Sequence, residues 1–535
     1  MENTRREFLR TAAAGLAAAI PLRPATGDST IEVLIDEPVA TIAPQIYGHF
    51  AENLGGVVYD GIWVGEDSSV PNIGGIRKQL VESLRRIHAP VIRWPGGCFA
   101  DSYDWRDGIG PRVKRPRRTN FWAGAAEWGK SGVHTGPQIY DPNQFGTVEF
   151  ARFCKLSGAQ PYFAANMRGL TAADFDHWVE YCNSPAGSTT LADLRAADGE
   201  REPLDVRYWG VGNEAWGCGG NFIPEDYATE FLRFTAWVPG YRVPLAFVGS
   251  GPNGNDRDWT RRFFAKLAEK NAVHGMWGWS MHHYAWNVTG GRVTDWIAGK
   301  GDALRFDSEA YYELLREAAQ MESFIVSQWG IMGEHDPRHH VKLVVDEWGA
   351  WYAAGTEPFP GALLGQQSTM RDAVLAGLTL DTFNRHADKV GMAAIAQLVN
   401  CLQSPFLAHE DKFCVTPTYH VFDMFAAHQG AQSLRTVAAA PTIYKGLAGL
   451  SCSASLRDKM LTLTVTNPSI DQTREVEVTV RGGRVASAKA TVLSAADVHA
   501  HNSFENPDAV KPRVEERLVR QFGPASVTRL EIQLG

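Results

Sequence analysis

The sequence is poor in cysteine, with 7 in 535 residues. Cys98, Cys154, Cys182, Cys218, Cys401, Cys414 and Cys452 form no C-x-x-C pair, and their number is odd. A disulfide framework or a structural zinc site needs denser, paired cysteines, so buried free thiols are the expected state. Positive charge is also in deficit: 52 Lys and Arg against 60 Asp and Glu give a net charge of −8. Nucleic-acid binding needs a basic footprint, which is missing. Past the N-terminus no run of uninterrupted apolar residues is long enough for a membrane-spanning helix. No G-x-G-x-x-G follows an early strand pattern, so a dinucleotide-binding sheet has no support. The histidines His282-His283 and His339-His340 are adjacent, not at the i, i+4 spacing of a helical zinc site, and the second pair lies in a polar loop. No metal and no cofactor is expected.

Tryptophan is what the chain has in excess: 17, beside 15 Tyr and 25 Phe. Such flat faces suit a core, an interface or a flat ligand such as a sugar ring. The balance of 44% hydrophobic and 21% charged residues is that of a globular protein. The N-terminus reads Thr4-Arg5-Arg6-Glu7-Phe8-Leu9-Arg10, followed by a small apolar stretch to Ile20. This has the form of a twin-arginine signal over residues 1–29, with cleavage open at Ala19 or Ala25. It predicts export to the periplasm or outside.

Between residues 41 and 430, eight short apolar runs alternate with amphipathic stretches. The runs are Gln45–Phe50, Pro90–Trp94, Gln160–Asn166, Val206–Gly212, Leu245–Gly249, Trp279–Tyr284, Lys342–Asp346 and Met392–Val399. Strands alternating with helices make a parallel sheet, and eight such units make an α/β fold, a (β/α)₈ barrel. The alternative is an open doubly wound sheet. From 431 to 535 the texture changes to short period-two runs separated by turn residues, the mark of an all-β sandwich of jelly-roll type. The segment 30–40 is strand-like and is expected to join that domain.

Barrel enzymes carry their chemistry at the C-terminal ends of the strands. The fourth run ends in Gly212-Asn213-Glu214 and the seventh in Asp346-Glu347-Trp348. A carboxylate closing a buried strand needs a partner or a task, because an isolated buried charge is costly. Two such glutamates facing each other across a barrel mouth, about 5–5.5 Å apart, form the apparatus of retaining glycoside hydrolysis. Other strand ends add Glu52, Arg93, Asn166, Tyr284 and Gln397. These are polar groups of the kind that pair with sugar hydroxyls. Trp94, Trp105, Trp122, Trp128, Trp216, Trp348 and Trp351 fall at or near the same ends.

Six segments in order then resemble glycoside hydrolase family 51, the α-L-arabinofuranosidases. They are Ile46–Glu52, Arg93–Cys98, Gly212–Glu214, His283-Tyr284, Asp346–Trp348 and Ala396–Asn400. The resemblance implies Glu214 as general acid/base and Glu347 as nucleophile. It places Asn213 on the sugar 2-hydroxyl and Glu52, Tyr284 and Gln397 around the remaining hydroxyls. Arg93 would orient Glu347, with Cys98, Trp94 and Trp348 completing the binding site. The implied substrate is an arabinose-containing oligo- or polysaccharide such as arabinan or arabinoxylan, attacked from its non-reducing end. Members are often homo-oligomers. The chain departs from many members in the glycine-rich loop Ala215-Trp216-Gly217-Cys218-Gly219-Gly220 and in the aromatic and basic segment 100–141. Two rival readings stay open: an endo-acting glucanase or xylanase on the same barrel, and a non-catalytic carbohydrate-binding protein.

Overall fold

The computed structural model describes residues 29–123, 140–516 and 519–535. Its centre is a closed barrel of eight strands. After β1 (Ser29–Thr41), which lies outside the barrel, these are β2 (Gly48–Phe50), β3 (Val91–Trp94), β4 (Gln160–Ala165), β5 (Tyr208–Val211), β6 (Ala246–Gly249), β7 (Gly278–Ala285), β8 (Lys342–Ala350) and β9 (Val390–Ala396). All neighbours are parallel, and β9 returns to β2 through Ala394–Gly48, Ile395–His49 and Ala396–Phe50, which closes the ring. The open-sheet alternative is thereby excluded. The strands read as apolar blocks because helices cover one face and barrel-filling side chains the other; every residue of β3, β5 and β6 is buried.

Alternation along each strand sorts the side chains. Val91, Tyr162, Tyr208, Val248, Val344 and Met392 cluster as the floor of the barrel interior. Their neighbours Phe163 and Trp209 face the helices and stack at 5.4 Å. One bulge breaks the alternation where it matters. Ser280 pairs with Val344, but His282 pairs with Glu347, so β8 carries one residue more than β7. A bulge re-aims side chains, and here both Asp346 and Glu347 reach the interior.

The C-terminal domain is a nine-stranded sheet. Its strands are β10 (Gln432–Ala439), β11 (Ser451–Arg457), β12 (Met460–Asn467), β13 (Arg474–Arg481), β14 (Val485–Leu493), β15 (Arg513–Glu515), β16 (Gln521–Phe522) and β17 (Ser526–Leu534), with β1 between β10 and β13. Alternate residues such as Ile31, Val33, Leu461, Leu463, Leu530 and Ile532 form its core. The helix Met370–Arg385 joins the two domains. Thr369 caps it, and the Asp372 carboxylate accepts from the Thr369 N–H at 2.7 Å, forming a capping box. Residues Met370 to Asn384 are all buried, since the helix contacts β8 of the barrel and β10, β11, β12 and β17 of the sheet.

Candidate active site at the barrel mouth

At the C-terminal ends of the barrel strands lies a cavity of about 400 Å³ lined by Glu52, Cys98, Asn213, Glu214, Tyr284, Glu347 and Gln397, among others. A larger hollow of about 570 Å³ sits at the seam between the domains. Its charged lining is spent in pairs such as Arg385–Glu322 and Arg316–Glu313.

Glu347 is held at both oxygens. Arg93 donates through Nη1 to Oε1 at 2.7 Å, and the Tyr284 hydroxyl donates to Oε2 at 2.7 Å. Arg93 also donates through Nη2 to the Asn213 side-chain oxygen at 2.6 Å, and its Nε lies 3.4 Å from Asp346. This guanidinium therefore ties the second, fourth and seventh barrel strands at one point. Glycine at position 97 is required by close approach, because a Cβ there would meet Glu347 Oε1 at 2.7 Å.

Glu214 lies on the opposite wall. Its backbone is left-handed, with φ of 41°, a conformation that non-glycine residues adopt at a cost and mostly at functional sites. The loop after it is folded to suit. The N–H groups of Gly217 and Gly219 both donate to the Glu214 carbonyl, and the Ala215 N–H donates to Ser250 Oγ at 3.0 Å. Buried Asp101 accepts from the N–H groups of Met167, Arg168 and Asn213. Burial pushes its pKa up to about 7 against those donors.

His282 stands between the two glutamates. Its Nδ1 is 3.0 Å from Glu214 Oε1 and 3.5 Å from Glu347 Oε2, and its Nε2 is 3.3 Å from Asp346 Oδ1. Burial alone would lower its pKa, but Glu347, Asp346 and Glu214 together raise it to about 10, so it is an imidazolium at neutral pH. Asp346 also accepts from the hydroxyls of Tyr162 and Ser280. Burial works to raise the pKa of Asp346; Arg93 and His282 overcome it and hold the group well below the usual carboxylate range. Glu52 accepts from the N–H groups of Gly97 and Phe99 and from the Gln397 amide. Burial first, and then the charge of Glu347, push its pKa up to about 8.

The nearest facing atoms of Glu214, His282 and Glu347 all lie within 4.8 Å of one another. That trio, and Cys98 with Glu214 and Cys218, are the groups compact enough to hold a metal among the described residues. Both nitrogens of His282 already face carboxylates, and the two thiols are joined as a disulfide. Neither group is arranged as a set of free ligands.

The structure thus brings Glu52, Arg93, Cys98, Asn213, Glu214, Tyr284, Glu347 and Gln397 to one place. Trp94 and Trp348 do not join them, which corrects the expectation that they bind substrate. Each follows an inward-facing residue and so points outward. Trp94 packs among Tyr103, Phe145, Phe150 and Phe163, and Trp348 against Phe383 and Phe422. Trp105 is likewise core, stacked on Trp178, and Trp128 lies outside the described residues. Among the described residues, the tryptophans that do line the cavity are Trp122, Trp216, Trp286, Trp296 and Trp351. Lys300 sits against two of them, with Nζ 3.9 Å from the Trp296 ring and 4.2 Å from the Trp351 ring. The thiol expectation also needs correction: Cys98 and Cys218 are bonded, while the other five cysteines are free and buried. Their separation of 120 residues leaves no trace in local spacing. Sequence reasoning missed His282, although its place two residues before Tyr284 on one strand puts both on one face.

A closed parallel barrel with two carboxylates this close, on its fourth and seventh strands, defines a glycoside hydrolase of the (β/α)₈ type. Two family descriptions match the chain: the α-L-arabinofuranosidase 1 domain over residues 83–289 and the α-L-arabinofuranosidase C-terminal domain over residues 346–528. An intracellular exo-α-L-arabinofuranosidase of Bacteroides ovatus is 35% identical, with 98% of this chain and 99% of that protein aligned. The crystal structure of the family 51 arabinofuranosidase of Xanthomonas axonopodis pv. citri superposes with a TM-score of 0.86 at 34% identity, covering 95% of this chain and all of that one. That of the Thermotoga maritima α-L-arabinofuranosidase in complex with arabinose gives 0.80 at 28% identity, covering 95% and 100%. The chain belongs to the α-L-arabinofuranosidases of glycoside hydrolase family 51. The enzyme reading therefore prevails over the binding-protein rival, and the arabinofuranosidase reading over the endo-acting one.

The same relatives correct the expectation of export. Those from Bacteroides ovatus, Acetivibrio thermocellus and Bifidobacterium longum are named intracellular enzymes, which points against a twin-arginine route to the periplasm or beyond. An arginine pair before a short small-residue stretch also describes a merely basic terminus. Residues 1–28, which carry it, lie outside the described residues.

Proposed function

We propose that the protein removes terminal α-L-arabinofuranosyl units from the non-reducing ends of arabinan- or arabinoxylan-derived chains, with retention of configuration. Two relatives named for exo action on α-(1→5) linkages, from Acetivibrio thermocellus and Bifidobacterium longum, support arabinan fragments among the substrates. Glu347 attacks the anomeric carbon while Glu214 protonates the departing oxygen, and a covalent arabinosyl ester of Glu347 results. Water, deprotonated by Glu214, then releases arabinose. Arg93 and Tyr284 aim the nucleophile. Asn213, Glu52 and Gln397 take the sugar hydroxyls, and the tryptophans at the rim receive sugar rings. His282 supplies positive charge between the two carboxylates.

The observation that carries this reading is the approach of Glu214 and Glu347 within 4.8 Å. Inverting enzymes keep the pair about 6.5–9.5 Å apart to admit a water. Proton NMR of the first-formed product tests it: the α-anomer is expected, and initial formation of the β-anomer sinks the proposal. Glu214→Ala tests the acid role. It should keep measurable turnover on aryl arabinofuranosides with good leaving groups and be stimulated by azide.

A further inference from the structure

The Cys98–Cys218 disulfide joins two strand-end loops, one following Arg93 and one following the catalytic Asn213-Glu214 pair. The two sulfurs lie 3.9 and 3.7 Å from the same atom, Glu214 Oε2. The other oxygen, Oε1, faces His282 at 3.0 Å. The carboxyl of Glu214 is thus asymmetric: one oxygen meets a cation, and the other meets sulfur that, once oxidised, has no proton to donate. The loop is shaped to bring Cys218 back to this place. Gly217 and Gly219 donate to the Glu214 carbonyl, and a Cβ on Gly219 would meet the Asn213 carbonyl oxygen at 1.9 Å. The backbone of Glu214 itself is in the left-handed region, so nothing in its intrinsic preference keeps it there.

We propose that the Cys98–Cys218 disulfide is the positioning element of the acid/base. It locks the Glu214 loop against the loop after Arg93 and leaves Oε2 as the oxygen that carries the transferable proton toward the leaving group. This rests on the assignment of Glu214 above. Reduction cleaves the S–S bond and places one hydrogen on each sulfur. The two thiols then offer weak donors to Oε2, and the loop loses its tie. Acid catalysis suffers in consequence, while the Glu347 side of the site, held by Arg93 and Tyr284, is unaltered. Both cysteines are only half-buried, so a reductant can reach the bond.

The test uses the full-length enzyme in three states: as purified, reduced with a phosphine in water, which is itself oxidised to the phosphine oxide, and reoxidised. Cys218→Ser and Cys218→Ala stand beside them, with circular dichroism and Tm recording whether each folds. Peptide mass spectrometry without reductant must find the Cys98–Cys218 cross-link in the purified enzyme. The rate is then followed over a series of aryl arabinofuranosides of rising leaving-group pKa and on an arabino-oligosaccharide. Reduction is expected to steepen the dependence on leaving-group pKa. The loss should grow to about tenfold on the poorest leaving group, a fraction of the 10²–10⁴ that a general acid contributes. Reoxidation restores the original slope. The serine variant matches the reduced enzyme and no longer responds to the phosphine. An absent cross-link overturns the proposal, and so does an unchanged slope or a loss equal for all substrates. If Glu214→Ala shows no leaving-group dependence, the acid assignment itself fails. If Glu214→Ala behaves as an acid variant while reduction leaves the slope unchanged, only the positioning proposal fails.

Discussion

Two regions of this molecule bury carboxylates deeply and satisfy them by opposite means. At the barrel mouth, Asp346 and Glu347 are partnered by cations, the Arg93 guanidinium and the His282 imidazolium. At the seam with the C-terminal sheet, the helix Met370–Arg385 presents Asp381 to three hydroxyls. Ser453 and Thr464 donate to Oδ1 at 2.8 and 2.6 Å, and Thr466 donates to Oδ2 at 3.1 Å. Burial pushes both aspartates toward the neutral form. The cations in contact with Asp346 overturn that, whereas the hydroxyls, helped by the charge of Arg385 without an ion pair to it, leave Asp381 raised to about 6. For these two aspartates, the direct contact of two cations outweighs burial where three hydroxyls do not. At the mouth Asp346 is held ionised beside its two cations; the seam has a hydrogen-bonded joint.

The mouth should break first and hardest. Glu347→Ala removes the nucleophile and is expected to lower kcat by at least about 10⁴-fold, as loss of a nucleophile does elsewhere; steady-state kinetics on an aryl arabinofuranoside reads this. Arg93→Met strands two buried carboxylates. Breaking a buried pair costs about 3–5 kcal/mol, so both activity and thermal stability should fall sharply, and a variant with unchanged Tm would show that the cation is not what holds Asp346 and Glu347. His282→Gln is milder, with kcat expected to fall about 10²-fold. Its sign with pH is definite. The folded-state pKa of His282 is raised to about 10 from 6.5, so its contribution to stability is complete below about pH 6.5 and disappears as pH rises through 10. The Tm deficit of the variant should therefore be largest near pH 6 and shrink toward pH 10.

The contrast between the regions was only partly legible in the sequence. The eight barrel strands stand out because parallel strands covered on both faces read as apolar blocks, and the site glutamates because a carboxylate closing such a block is conspicuous. Trp94 and Trp348 mislead for the same reason: sequence adjacency to Arg93 and Glu347 places them on the opposite face of the strand. Asp346 and Glu347 both face inward only because β8 is bulged, and nothing local in Leu343-Val344-Val345-Asp346-Glu347 announces the extra residue. The Cys98–Cys218 bond and the seam around Asp381 depend on contacts across 120 and 72 residues, beyond any periodicity. His282 had a local signal, the shared face with Tyr284, but weighing the histidine pairs only against the spacing of a metal site left the role of a cation between carboxylates unread.

The smallest expected effect separates the two regions most cleanly. Asp381→Asn keeps the shape and removes the ionisable proton. The pKa of Asp381 is raised to about 6 in the fold, above the ordinary aspartate value of 3.8, so the stability it lends is complete below about pH 3.8 and is lost as pH rises through 6. The amide oxygen can still accept from Ser453 and Thr464, and the amide nitrogen can donate to the Thr466 hydroxyl once that group rotates. The variant should thus lose little at pH 5 and gain relative to the parent by roughly 1–2 °C in Tm between pH 5 and pH 7. Other titrating groups are common to both proteins and cancel in the difference between the two melting curves. A variant that instead loses several degrees at every pH would mean that Asp381 is ionised and that its charge holds the joint. In that case hydroxyls would suffice to do what Arg93 and His282 do at the mouth, and the distinction between the two regions would fall.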